Sequence, residues 1–292
     1  MSLSATLKYI TNHPLNKDNK LDAVMRFFKW QFNNRLNPFP VIYPFTSKAR
    51  LIVQKGMTGA TGNLYCGLHD FNDMFFLLHF LRKGDLFMDI GANIGSYTVL
   101  AAAHCGAETI SLEPVPATYS HLKDNIRINN IDSITTALNL ACGSKEGTIS
   151  FTSTLDTVNH VATNSDANTI EVVVKRLDII AEKLNPTLLK IDVEGYETEV
   201  LAGATLALKN PSLKAIIIEL NGSGGRYGYD EKKIHNLLLD AGFLPFTYEP
   251  FKRELISIES FGSYNTIYLR DIDFIIARVK SAEKVKILNK LV

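Results

Sequence analysis

The stretch 86–98, LFMDIGANIGSYT, limits the fold of this chain more than any other. Leu86, Phe87, Met88 and Ile90 read as a buried strand, with Asp89 near its carboxyl end. Gly91 and Gly95 turn the chain, and Ser96 opens a helix that runs into Ala101, Ala102 and Ala103. A strand, a glycine turn and a helix make the ligand-binding unit of an open α/β sheet, whose ligands lie outside the carboxyl ends of the strands. Glycine permits left-handed torsions there and removes the Cβ that would hold a ligand off the backbone.

Asp89 indicates which ligand. A dinucleotide pyrophosphate is held by bare N–H groups at a helix N-terminus, and a carboxylate just ahead of the turn repels it. S-adenosylmethionine (SAM) carries an ammonium and a sulfonium, which the same carboxylate attracts. The dinucleotide fingerprint GxGxxG also fails, since Asn93 stands where its second glycine belongs and Ser96 where its third does.

The rest of the chain reads as alternating strands and helices. Strands are predicted over 49–55, 109–112, 134–140, 147–151, 169–174, 188–193, 214–220, 243–248 and 265–269, the last as an antiparallel edge. Helices are predicted over 21–36, 72–81, 116–130, 177–183, 196–208 and 230–241, with glycine-rich segments at 56–67 and 221–229. The loop 152–168 is long for structureless chain, which points to a functional or mobile segment. With 46% hydrophobic and 21% charged residues, a chain of 292 can bury a sizeable core. A net charge of +1, from 31 basic and 30 acidic residues, gives no electrostatic case for nucleic acid as the main partner. Cys66, Cys105 and Cys142 are odd in number and lack metal-ligand spacing, so they read as reduced thiols of a cytoplasmic protein. The start MSLSATLKYI lacks the basic and apolar regions of a signal peptide. Apolar runs such as 74–81 fall short of the roughly 20 residues of a membrane span.

Asp89, Glu113, Asn139, Asp192 and Glu219 each fall at or near the end of a different predicted strand. In a parallel sheet those ends share one edge, so the groups converge on one cleft. Glu113 lies 22 residues beyond Gly91, close to the spacing of about 20 that places an acid on a ribose hydroxyl pair.

This pattern resembles the class I SAM-dependent methyltransferases. At DIGANIGSYT, LEP and LLKIDVEGYE it resembles the FkbM family in particular, as does the approach segment TGATGNLYCGLHDFNDMFFLLHFL. The resemblance is strong over about 50–220, loose over 230–270, and absent over 1–45. It implies an α/β fold, a Rossmann-like three-layer sandwich with a mostly parallel seven-stranded sheet and an antiparallel edge strand, preceded by an N-terminal helical extension. The expected division is an extension at 1–48 and a methyltransferase domain at 49–292. The family carries SAM and often methylates hydroxyls of sugars or natural products. Residue by residue, the resemblance places Asp89 and Gly91 against the methionine part of SAM, with Asn93 and Gly95 completing the turn. It puts Glu113 on the ribose, Asn139 and Ala141 near the adenine, and Asp192 beside the sulfonium and acceptor.

Transfer to an alcohol needs alignment of three atoms and a base for the alcohol proton. The candidates are Asp192, Glu194 and His160, with His69 and Asp70 further off; Tyr196 reads as an acceptor contact or as a core aromatic at the helix start. The residues leave open whether one or both carboxylates after 188–193 face the cleft. If both do, one pKa rises or a divalent cation is held between them; no dedicated metal site is expected. The expected acceptor is a small molecule or glycan. N- or C-methylation, and a non-catalytic SAM-binding subunit, are the alternatives, although an Asn/Asp-Pro-Pro-aromatic run typical of nucleic-acid N-methylation is absent. The 21–36 helix has Val24, Phe27, Phe28 and Phe32 on one side, with Arg26, Lys29 and Arg35 interleaved. It reads as packed on the domain or on a second subunit, as in a homodimer, with a membrane-surface or acidic-partner role as the alternative. The prolines of 37–44 end it.

Overall fold

The structure, a computed structural model, describes residues 2–37, 39–164 and 166–292. Pro38, one of the prolines expected to end the 21–36 helix, lies outside the described residues, as do Met1 of the N-terminal segment and Ser165 of the long loop.

An eight-stranded sheet organises the chain. Its strands are β1 Leu86–Ile90, β2 Glu108–Leu112, β3 Thr135–Leu138, β4 Leu188–Ile191, β5 Ala215–Glu219, β6 Leu244–Glu249, β7 Glu254–Ser257 and β8 Asn265–Leu269. Their spatial order is β7-β6-β8-β5-β4-β1-β2-β3. The run from β5 through β4, β1 and β2 to β3 is parallel, and β8 is antiparallel to both β5 and β6. Two details differ from the sequence reading. The sheet has eight strands rather than seven, because β7 folds back on β6 as a hairpin. The antiparallel strand 265–269 is internal, and β7 takes the edge. Three of the four β7 residues are exposed and only Leu255 packs, in part, on the core, so the strand shows no alternating pattern that would reveal it.

The central strands are buried on both sides, as parallel strands covered by helices must be. Alternation sorts their side chains into two layers. Phe87, Leu188, Ala215 and Ile217 enter one core; Met88, Ile90, Leu189, Ile191, Ile216 and Ile218 enter the other. The first layer is covered by helices α3 Thr58–Cys66 and α4 Phe71–Phe80, the 96–104 helix and Ile272–Lys280. The second is covered by Leu177–Ile180, Glu197–Ala202, Thr205–Lys209 and Glu231–Asp240. The architecture is the three-layer α/β sandwich. Helix α4 is apolar nearly all round because it is enclosed by other elements.

Several local readings shift. The glycine-rich 56–67 segment contains α3. The helix after the glycine turn begins as a single α-turn, Ser96–Val99, and continues as a π-helical segment, Leu100–His104. The 196–208 helix breaks at Gly203, and Asp178 caps its second half by accepting from the N–H groups of Leu206 and Ala207. The strands expected at 147–151 and 169–174 stand apart as a three-stranded sheet of Gly147–Thr152, Thr169–Lys175 and Ala141–Cys142. At the N-terminus, helices α1 Leu3–Asn12 and α2 Lys20–Leu36 precede a hairpin of Val41–Pro44 with Arg50–Val53, which spans the boundary expected between 48 and 49. Among the described residues, no helix is long and apolar enough to cross a membrane.

Candidate active site

Register and alternation bring the ionisable groups together. Asp89 on β1 pairs with Lys190 on β4 and Ser111 on β2, and Ile217 on β5 pairs with Lys190. Side chains two apart in a strand share a face, so Asp89, Lys190 and Glu219 all lie on the face that Phe87, Leu188 and Ile217 occupy lower down. Asp192 follows two residues after Lys190. A cavity of about 270 Å³ opens above these strand ends.

The glycine turn forms one wall. Gly91 has φ +82° and Gly95 φ +88°, and Asn93 sits between them at φ +50°. The left-handed torsions expected of both glycines are present. The space a Cβ would need at Gly91 is taken by protein: it would lie 1.8 Å from the carbonyl oxygen of Asp192. At Gly95 it would lie 2.5 Å from Leu122 Cδ1. The turn is therefore glycine because two strand ends meet there and a helix packs beneath.

Asp89 is only 1% exposed. Thr98 Oγ1 donates to its Oδ2 at 2.7 Å, and Ser111 Oγ lies 2.7 Å from the same hydroxyl. Burial lifts the Asp89 pKa to about 6, with Lys190 opposing the rise. Glu113 accepts from the N–H of Asn93 at 3.0 Å and of Val115 at 2.8 Å. Burial still raises it to about 7 against those two bonds. A carboxylate has about four acceptor positions, so Glu113 keeps capacity toward a hydroxyl-bearing ligand in the cavity it lines.

The loop after β4 forms the other wall. Lys190 Nζ donates to Asp192 Oδ2 at 2.6 Å and stands 4.7 Å from the ring centroid of Tyr97. Burial disfavours its charge, but Asp192 and Asp89 outweigh that and push its pKa up. Glu194 has φ +56° and Gly195 φ +103°. The N–H groups of Val193 and Gly195 both donate to Glu197 Oε1, at 3.1 and 3.2 Å. The turned backbone settles the alternative left open above: Asp192 and Glu194 face the same cleft. Together with Glu219 they place one carboxylate oxygen each within 4.8 Å of one another, within reach of a single hard cation. Burial, then Asp192 and Glu197, lift Glu194 to about 7. Burial, then Asp192 and Glu194, raise Glu219 further, and its Oε2 is buried with no hydrogen-bond partner among the described residues.

Of the residues singled out in the sequence, Asp89, Gly91, Asn93, Glu113, Ala141, Asp192 and Glu194 line the cavity. Gly95, Asn139 and His160 do not. Asn139 donates through Nδ2 to the carbonyls of Glu113 and Pro114, at 2.8 and 2.9 Å, and so braces the loop after β2. His160 is buried in its own loop, with Nδ1 2.8 Å from Val158 O and Nε2 3.5 Å from Asp166 Oδ2. Its neighbours Thr157, Asn159 and Val161 line the cavity instead. His69 and Asp70 line it as well; Tyr97 Oη donates to Asp70 at 3.0 Å, and His69 Nδ1 lies 2.9 Å from Tyr9 Oη.

Sequence reasoning passed over Lys190, and it brought Glu219 to the cleft, which it lines, without assigning it a chemical part. The signal for Lys190 was present: a lysine two residues before Asp192 on a predicted strand shares its face. Two further contacts come from the 221–229 loop. Arg226 Nη1 donates to Glu194 O at 3.0 Å, and Tyr227 Oη donates to Val161 O at 2.7 Å, joining the two loops that border the cavity.

The cavity thus offers several carboxylates and, besides Lys190, no lysine or arginine among its lining residues. That donor set fits a cationic, hydroxyl-rich ligand and disfavours a phosphate. The FkbM methyltransferase domain matches residues 89–245, more than half of the chain. The chain is 30% identical over 168 residues to the hexuronic acid methyltransferase AglP of Haloferax volcanii, covering 56% of this chain and 66% of that one. It is 30% identical over 142 residues to Methyltransferase 1 of Beauveria bassiana, covering 40% and 57%. The chain thus spans less than two thirds of the length of these relatives. A crystal structure of methyltransferase FkbM from Methylobacillus flagellatus aligns with a TM-score of 0.44 at 15% identity, over 86% of this chain and 60% of that one. A glycine turn, an acid at the end of β2 and a carboxylate loop after β4 all fall within the matched region, and the chain belongs to the FkbM methyltransferase family.

Proposed function

We propose that the domain at 49–292 transfers a methyl group from SAM to a hydroxyl oxygen of a sugar or related polyol. The observation that carries this reading is the convergence of Asp192, Glu194 and Glu219 within 4.8 Å beside the glycine turn. Bound SAM supplies an electrophilic methyl on a sulfonium leaving group. Asp89 and the Gly91–Asn93 backbone are assigned to its cationic end, Glu113 to the ribose hydroxyls, and Ala141 to the neighbourhood of the adenine. Lys190 positions Asp192, which lines the cavity, by a charged hydrogen bond.

Glu194 is assigned the proton of the acceptor hydroxyl. A pKa near 7 suits a general base at neutral pH. Its carboxyl reaches that range because burial and two neighbouring acids disfavour its charge. His160, held inside its loop, is not assigned a catalytic part. The relative that modifies a hexuronic acid supports a sugar acceptor.

Incubation with isotopically labelled SAM and a panel of sugars, amines and activated-carbon acceptors tests this, with product O–CH₃ identified by NMR. Label on a hydroxyl oxygen is expected. Label only on nitrogen or carbon, or none on any acceptor despite SAM binding, would overturn it.

A further inference from the structure

Helix α2 is apolar on two opposite sides. Ala23, Phe27 and Trp30 are buried against the body of the protein. Leu21, Met25, Phe28, Phe32 and Leu36 face outward, between 49% and 80% exposed. Their spacing of four, three, four and four residues keeps them within about 80° of helix surface. The apolar surface continues past the helix at Phe39, 72% exposed, and Ile42, 53% exposed. Large apolar side chains left this exposed along one helix face mark an interaction site.

Charge identifies what it fits. Residues 1–48 hold seven of the 31 basic residues and two of the 30 acidic ones, so the remainder of the chain is net acidic. Lys17, Lys20, Lys29 and Arg35 are exposed beside the stripe. Of the two acids, Asp18 is paired with Lys290 at 2.8 Å, which leaves Asp22. Large apolar side chains flanked by cations are the pattern of a helix lying in the headgroup region of an anionic bilayer. A second copy fits less well. It would bring the cations Lys20, Lys29 and Arg35 of one copy to the same basic face of the other with one acid per helix to meet them, and like charges across an interface repel.

We infer that the exposed face of α2, with Phe39 and Ile42, docks on an anionic phospholipid surface. The inference stands apart from the acceptor assignment, since none of these residues lines the cavity.

Co-sedimentation of the full chain with vesicles tests it, using phosphatidylcholine alone and phosphatidylcholine with about one third phosphatidylserine. Binding to the anionic vesicles is expected, at least about tenfold weaker to the neutral ones and weakened by about half-molar salt. Phe28→Ser with Phe32→Ser should abolish it while the melting temperature stays unchanged. Lys29→Gln with Arg35→Gln should weaken it about tenfold on anionic vesicles only. Equal or absent binding of the wild-type chain to both vesicles overturns the proposal. So does a lipid-free dimer in sedimentation velocity that the Phe28→Ser, Phe32→Ser pair converts to monomer.

Discussion

On the glycine-turn side of the cavity, Asp89 takes a hydrogen bond from Thr98, and Glu113 takes two from backbone N–H groups. On the carboxylate side, Glu219 keeps a buried oxygen without a partner, and Glu194 holds a left-handed backbone torsion that costs a non-glycine residue free energy. The same residue types are satisfied on one wall and left in tension on the other. Burial raises the acids of both walls, but the hydrogen-bonded ones hold a shape, whereas the unpartnered, mutually repelling ones are left free to exchange a proton. We therefore read the first wall as built for binding and the second for proton transfer, a contrast that mutation can break.

The largest effect is expected at the junction of the two walls. Gly91→Ala puts a methyl 1.8 Å from Asp192 O at φ +82°. A loss of more than about 4 kcal/mol is expected, visible in thermal melting and in loss of SAM binding by calorimetry. A fully folded variant with native affinity would mean that the two strand ends do not meet.

Glu194→Gln should leave SAM affinity within about twofold and lower kcat by about 10²–10⁴-fold. In the wild-type protein, kcat should rise with pH through about 7, where Glu194 loses its proton; the variant should lack that limb. An unchanged profile would take Glu194 out of the proton transfer.

The smallest effect concerns Glu219. Its folded pKa is raised, so the native state holds a proton that the unfolded chain has released above about pH 4.3. More protons bound to the native state means that stability falls as pH rises from there toward the folded pKa. Glu219→Gln should therefore raise Tm by a few degrees at pH 8, change it little at pH 4, and flatten the dependence between. A variant destabilised at both pH values would show that the carboxylate is instead neutralised by a partner.

Much of this contrast was legible before any coordinates. LFMDIGANIGSYT carries a strand, two glycines and an acid in one short window, and each feature is local chemistry. Strand β5 reads plainly from AIIIE, because burial on both faces leaves one unbroken apolar run. Strand β7 was not legible, since only Leu255 is even partly buried. The outward stripe of α2 was seen only in part. Phe27 and Phe28 were placed on one side, whereas the fold buries the first and exposes the second.

Sequence by itself determined the family, the order of strands and helices around the first turn, and the acids that end β1, β2, β4 and β5. Those follow from short-range rules: period-two alternation, glycine at positive φ, and charge beside a turn. Tertiary structure alone decided that Gly91 is dictated by Asp192 O, that Asn139 braces the loop after β2, and that Glu219, expected at the same cleft, comes within 4.8 Å of Asp192 and Glu194. The reason is physical: each depends on a distance between segments tens to a hundred residues apart, set by strand register and packing, which no window of sequence contains.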